Sequence, residues 1–583
     1  MRSDHWVLSL LAVIIGLAAA GGVIGFRTLL DQVQLLFHGF SSEAVVTLLA
    51  GEPWWRIVLA PAVGGLVVGV MVRYLLPGGP EGVPHVMEAS ALKGARIPLK
   101  TGLMAALVSV VSLGVGASNG REGPAVHLGA SIGSQVARRL RLSENLSRTL
   151  LGCGVAAAVA GSFNAPFAGV FFALEVVVGH YTLSAFAPIV IASVAATVLT
   201  RAHYGNFPAF ILPETVDGIV SILEFPAFVL LGIVSAAVAM LFMWTTVTAQ
   251  DAVDRLNLPR VLRPAIAGLA IGLLALQFPH ILGVGYEATD MAIKETLPLA
   301  LMITLIVLKI GATALCLGAG FGGGVFSPSI FIGAMTGGAF GLLATMVSPE
   351  LSSGQGAYTL VGMGSVAGAV LGAPISTILI IFEMSGDYKL TIAVMISVVV
   401  ASTIVEQVIG KSLFTWQLAR RGISLRGGRD LQFVGRIRMG DVMKDDYVTV
   451  APDTPLDEVT ACLERARYGE VFVVEDGCRL VGVITTVDLM HAEPGQGDVA
   501  PTASDLQHRD PPALEANDGL ERAINLMEGA GESHLPVVES QESRRLIGFV
   551  HEHDVMLAYH RAIVEARARD RTGGFGLATR KHD

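Results

Sequence analysis

Residues 117–130 read ASNGREGPAVHLGA. An Arg-Glu pair, three glycines and a proline stand here just after the apolar run Gly102–Val115 and shortly before further apolar text. Hydrocarbon offers no partner to a bare backbone N–H or carbonyl. Breaks of this kind survive in a membrane only where protein or a water-filled cavity surrounds them.

The pattern recurs. GREGPAVHLGA, ending at Ala130, matches GVFSPSIFIGA, ending at Ala334, with Gly four before a Pro and Gly-Ala five and six after it, at an offset of 204 residues. NAPFAGVFFALE, ending at Glu175, matches GAPISTILIIFE, ending at Glu383, with Ala-Pro and then Glu nine residues after the Pro, at an offset of 208. Two pairs at nearly one offset imply a duplicated unit. Short Gly/Pro-broken segments in matching positions of two halves point to a transport site between the halves, near mid-membrane.

Composition agrees. Of 583 residues 52% are hydrophobic and only 15% charged, where a soluble chain carries about a quarter. The apolar runs Val7–Ile24, Ile57–Leu76, Gly102–Val115, Ile189–Leu199, Phe225–Met243, Leu299–Leu317 and Leu390–Val405 explain the deficit. Several approach the roughly 20 residues that span a hydrocarbon core. The expected fold is an all-α polytopic membrane domain over residues 1–425, with about ten or more segments, an inverted internal repeat and broken helices. The first run is too long for a signal-peptide core and has no small-residue cleavage site, so it should remain as a helix.

Near Gly427 the text becomes charged and punctuated, and no span-length run follows. We expect a linker over 426–437, then an α/β domain made of two repeats, 438–495 and 496–562, and a basic, disordered tail over 563–583. Each repeat orders its elements as a βαββα unit, with strands such as VFVV and LVGVIT between helical stretches. Cys153, Cys316, Cys462 and Cys478 have neither metal-like nor paired spacing, which suggests a reducing interior for this appendage. The net charge of −9 says little about substrate. No nucleophile–base set, phosphate loop or metal-ligand cluster supports an enzyme.

An anion stripped of water faces a cost of order tens of kcal/mol unless fixed dipoles replace its hydration. A helix N-terminus supplies them, with unpaired N–H groups and roughly half a positive charge. Both copies of the Gly-x-x-x-Pro pattern have the form of a helix start within the membrane, and an inverted duplication would aim both at one point.

These residues carry a resemblance. GREGP at 120–124, GVFSP at 324–328 and PEGVP at 80–84 resemble the three signature segments of the CLC chloride channel and transporter family, and the soluble repeat resembles paired CBS domains. The resemblance implies a homodimer with one pore per subunit in the cell inner membrane, CBS domains and C-terminus cytoplasmic, chloride as the permeant ion, no required cofactor and no nucleic-acid partner. It implies anion sites near Arg121, Glu122, Gly123, Val325, Phe326 and Ser327, and makes Glu122 the gating glutamate. A carboxylate beside helix N-termini competes with the anion for its place, and an intramembrane carboxylate is a functional candidate by default.

Many proton-coupled exchangers of this family carry two consecutive glutamates after the Asn-Ala-Pro segment. Here Glu175 is followed by Val176. Valine passes no proton, so the expectation is a passive channel, with a proton-coupled chloride exchanger or a fluoride-selective exporter as alternatives. Glu81 stands where many members have serine, and Phe414 where a tyrosine hydroxyl meets the ion; with Gly82 they are the pore-lining candidates. Glu81 either faces the pore as a second pH sensor or caps a helix start. His85 and His127 lie near these elements and can tune a pH response, though packing is the commoner role. Glu175 and Glu383 read as structural. In the CBS pair Thr485 and Asp488 fit the pattern that contacts adenine nucleotides; the second copy keeps Asp554 but has His551 at the hydroxyl position.

Overall fold

The structure is a computed structural model. It describes residues 2–179, 183–206, 210, 219–256, 258–423, 437–476, 478–491 and 501–571, without the side chains of 2–5, 183 and 563–571. The chain divides into two compact units, one through residue 424 and one from 425 to 572. The expected linker over 426–437 lies outside the described residues except for Ile437.

The first unit is helical and made of two series in one order. The first series is α1 (Arg2–His38), α2 (Trp54–Leu75), α3 (Val83–Leu92), α4 (Leu99–Gly114), α5 (Glu122–Arg139), α6 (Glu144–Phe163), α7 (Pro166–Phe172) and α8 (Leu183–Tyr204). The second is α9 (Phe225–Arg255), α10 (Arg263–Ala275), α11 (Tyr286–Ile293), α12 (Leu299–Ala319), α13 (Phe326–Val347), α14 (Gly354–Leu371), α15 (Pro374–Ser385) and α16 (Tyr388–Val408), after which α17 (Leu413–Arg420) closes the unit. Among the described residues eight helices are long and apolar enough to cross a membrane, and four apolar ones are shorter. The short ones are α4, α7, α10 and α15, of which α7 and α15 are counterparts in the two series, as the broken segments require.

Small residues bring the central helices together the same way in each half. A Cβ on Gly129 would lie 2.2 Å from the carbonyl oxygen of Gly154, and one on Gly333 would lie 2.4 Å from that of Gly362. Only glycine lets α5 reach α6, and α13 reach α14, at this separation.

The second unit folds as two similar repeats. In the first, β1 (Thr449–Val450) pairs parallel with β2 (Glu470–Glu475), which pairs antiparallel with β3 (Arg479–Thr485), and β4 (His508–Arg509) adds to the edge. In the second, β5 (Leu514–Glu515) is parallel to β6 (His534–Val538), and β7 (Leu546–His551) antiparallel to it. The helices α18 (Leu456–Arg465), α19 (Thr486–Met490), α20 (Leu520–Ala530) and α21 (Glu552–Arg571) complete the βαββα order twice. Phe472, Val474 and Leu480 of one repeat share a core with Val538, Leu546 and Phe549 of the other. One expectation is corrected: α21 runs to Arg571, so residues 563–571 of the supposed disordered tail are helical. Residues 565–571 read EARARDR, in which Glu, Ala and Arg are good helix formers, and charge alone did not reveal it. Residues 572–583 lie outside the described residues.

Candidate functional site

The two broken-helix tips meet. Before α5 and α13 the loops pair as an isolated antiparallel bridge: Gly120 N–H donates to the Gly324 carbonyl at 2.7 Å, and Gly324 N–H to that of Gly120 at 2.7 Å. The helix ends that lead into these loops support them crosswise. Gly322 N–H donates to Ser112 Oγ at 2.9 Å, and Ser118 N–H to Cys316 Sγ at 3.3 Å. A Cβ on Gly123 would come within 3.1 Å of Gly324 Cα, so glycine is what lets the tips approach.

Glu122 begins α5 and is 1% exposed. Its Oε1 accepts from Ser327 Oγ at 2.5 Å and from the Tyr286 hydroxyl at 3.1 Å. Ser327 lies in the first turn of α13, and Tyr286 opens α11. The carboxylate from the first half is therefore clasped by groups from the start of two helices of the second half, where the field of the N-termini favours negative charge. Phe326 packs beside it against Phe163 and Phe172, with ring centroids 5.0 and 5.7 Å apart.

Two cavities flank this point. One, of about 280 Å³, is lined by Glu81, Gly82, Glu122, Gly123, Val325, Phe326 and Phe414, and reaches Arg420 and Arg421 near the end of the unit. The other, of about 60 Å³, is lined by Arg27, Gln34, Glu43, Arg121 and Tyr286 among others. Adjacent residues face different cavities: Glu122 the larger, Arg121 the smaller. The arrangement can hold an anion where the carboxylate sits, once the carboxylate moves.

Arg121 does not offer its guanidinium to that place. Nη1 donates to Glu43 Oε1 at 2.8 Å, Arg27 holds the same oxygen at 2.9 Å, and the guanidinium stacks 4.6 Å from the Tyr286 ring centroid. Glu81 lines the larger cavity and caps no helix: its Oε2 lies 3.1 Å from His127 Nε2. The N–H of Gly82 instead goes to His85 Nδ1 at 3.2 Å. Val176 is buried in a π-helical turn, Ala173–Val178.

Glu175 and Glu383 form a reciprocal pair of caps. Glu175 accepts from the N–H groups of Ile375 and Ser376 at 3.1 and 2.9 Å, and Glu383 from those of Phe167 and Ala168 at 3.0 and 2.9 Å. Each half thus closes the helix start of the other, satisfying donors that lipid could not.

Sequence reasoning passed over Tyr286, Glu43 and Lys309. Lys309 is fully buried on α12; its Nζ donates to the carbonyls of Ile281 and Gly283 at 3.0 and 2.9 Å, holding the turn that leads to Tyr286. An intramembrane lysine is itself a signal, but nothing local linked it to Glu122.

In the second unit Thr485 caps α19. Its N–H and Oγ1 both donate to Asp488 Oδ2 at 2.7 Å, and His508 Nε2 lies 2.7 Å from Oδ1. Burial raises the Asp488 carboxyl, but the Thr485 hydrogen bonds and His508 outweigh it and hold it below the usual range. Asp554 pairs with Lys444 at 2.6 Å, and the His551 ring packs 4.3 Å from that of His534. The two candidate nucleotide positions are thus unlike.

Comparison with known proteins agrees with this architecture. The voltage gated chloride channel family model matches residues 64–406, and the CBS domain model matches 439–495 and 503–561. The chain is 32% identical over 415 residues to a putative chloride channel protein ClcB-like of Ralstonia nicotianae, covering 70% of this chain and 96% of that one. It is 28% identical to the H(+)/Cl(-) exchange transporter ClcA of Cronobacter sakazakii, covering 73% and 92%. Among solved structures, a slow cyanobacterial Cl-/H+ antiporter superposes with a TM-score of 0.63 at 24% identity over 71% of this chain and 97% of that one. A eukaryotic CLC transporter gives 0.62 at 20% identity over 94% and 97%. The first family match covers most of the helical unit and the second both repeats of the C-terminal unit, and the chain belongs to the voltage gated chloride channel family of anion-transporting membrane proteins.

Proposed function

We propose that this chain exchanges chloride for protons across its membrane, working as a homodimer with one pathway per subunit and its CBS pair in the cytosol. One observation carries the reading: the Glu122 carboxylate occupies the point where the tips converge, clasped by Ser327 and Tyr286, between two cavities. An anion can pass only when the carboxylate leaves. Protonation removes the charge that the helix tips attract, so each opening carries a proton. The relative whose name is a H(+)/Cl(-) exchange transporter supports this choice.

The second reading is the passive channel that Val176 favours, since a buried valine relays nothing. Reconstituted vesicles separate the two. With an outward chloride gradient and no proton gradient, the exchanger drives protons uphill into the vesicle; chloride efflux without proton movement would overturn exchange and leave the channel. Glu122→Gln should pass chloride with no proton movement in either case. We also propose adenine nucleotide as the regulatory ligand of the CBS pair, at Thr485 and Asp488. Calorimetric titration with ATP and AMP tests it, and no heat of binding would reduce the pair to a scaffold.

A further inference from the structure

The larger cavity contains a second acid with a dedicated partner. Glu81 lies in the extended segment before α3, lines the same cavity as Glu122, and is 26% exposed at its side chain. Its Oε2 is 3.1 Å from Nε2 of His127, a fully buried imidazole on the helix that Glu122 begins. The other charged or titratable groups around it are accounted for. His85 on α3 packs edge-on to His127 at 6.5 Å and has its Nε2 2.7 Å from Arg421. Lys93 is taken by Glu88 at 2.6 Å, while Arg420 pairs with Asp251 and Asp254 with Arg263. The direct partner of Glu81 is His127.

A carboxylate beside an anion's route opposes that anion. Its presence is explained if its charge is meant to come and go. With one proton fewer the Glu81–His127 pair carries a negative charge, and with one more it is neutral. Loading the pair with a proton and lifting the barrier to the anion are then one event.

We propose that Glu81, poised by His127, is the proton carrier that serves Glu122 from the larger cavity; this rests on the exchange reading above. The protonated Glu81 gives its O–H proton to a water of the cavity, and a neighbouring water gives one to the Glu122 carboxylate. Glu122 becomes the neutral acid and Glu81 the carboxylate, which reloads from solution at the cavity mouth. A cavity of about 280 Å³ has room for the waters this needs, since liquid water takes roughly 30 Å³ per molecule. An imidazole is suited to hold the carboxylate in either state.

The test uses the full-length protein in lipid vesicles, with chloride and proton fluxes recorded together. Wild type should move both. Glu81→Gln, of the same shape but unable to titrate, should lower the proton-to-chloride ratio at least tenfold. His127→Gln should move the pH of half-maximal proton flux by half a unit or more. A wild-type ratio in Glu81→Gln overturns the proposal while leaving exchange intact, whereas an uncoupled wild type overturns both. If Glu81→Gln does not assemble, His127→Gln decides: a pH profile superimposable on that of wild type overturns the proposal.

Discussion

Replacing Tyr286 with Phe removes one hydroxyl and leaves the ring. That ring keeps its stacking under Arg121 at 4.6 Å and its edge contact with Phe210 at 5.0 Å. The lost group is the donor to Glu122 Oε1 at 3.1 Å. Hydrogen bonds to a charged group contribute about 1.5–3 kcal/mol, and this one is longer than the roughly 2.5–2.7 Å usual for hydroxyl to carboxylate. The lower end, about 1.5 kcal/mol, applies, which is roughly tenfold in an equilibrium constant. Ser327 at 2.5 Å remains, so the carboxylate is loosened but still held. Chloride turnover in vesicles at fixed pH and voltage should rise by about tenfold. In a Glu122→Gln background the same change should alter turnover less than twofold, because the interaction it removes no longer involves a charge. An unchanged or slower Tyr286→Phe, or an equal effect in both backgrounds, would refute the clasp as what keeps the path shut.

Three further outcomes follow from other parts of the molecule. Glu383→Ala strips two N–H groups of α7 of their acceptor and should cost about 1–2 kcal/mol, seen as a lower unfolding temperature in detergent. The proton-to-chloride ratio should not move, and a changed ratio would show that the glutamate does more than cap. Gly129→Ala and Gly333→Ala each force a Cβ into a facing carbonyl and should destabilise by about 1–3 kcal/mol; size-exclusion profiles matching wild type would contradict the packing. In the second unit Glu470 and His534 face each other at 3.1 Å. Burial pushes the Glu470 carboxyl up to about 8 and the His534 imidazole down to about 4, so the folded pair keeps one proton across that interval. The unfolded chain holds one between about pH 4.5 and 6.5 and none above. Stability should be level over that lower window and fall by about 2 kcal/mol from pH 6.5 to 8, where the folded state binds the extra proton. Urea unfolding of residues 437–571 across this range checks the sign, and a rise toward pH 8 would refute it.

Much of the architecture could be read before any coordinates, because duplication writes the same constraint twice. The Gly-x-x-x-Pro and Ala-Pro patterns located α5, α7, α13 and α15, and Glu122 stood out as a charge where charge is costly. The groups that touch Glu122 were less visible. Tyr286 opens a short helix with no motif around it, and Glu43 meets Arg121 across 78 residues of chain. Such partners are chosen by the fold, and no local spacing announces them. Glu81 was half legible: its position suggested either a pore charge or a cap, and nothing local pointed to the buried His127 that lies 3.1 Å away. Glu175 and Glu383 were read as structural, but that each serves the opposite half depends on the pseudo-symmetry of the finished unit.

That exchange of caps bears on how the protein is made. Phe167 emerges from the ribosome 216 residues before the glutamate that will cover its N–H. At about 5–20 residues per second the gap is roughly ten to forty seconds, during which a membrane-buried backbone donor has no permanent acceptor. The first half is therefore made with these N–H groups still uncovered. Its final seating waits for a glutamate that has yet to be translated.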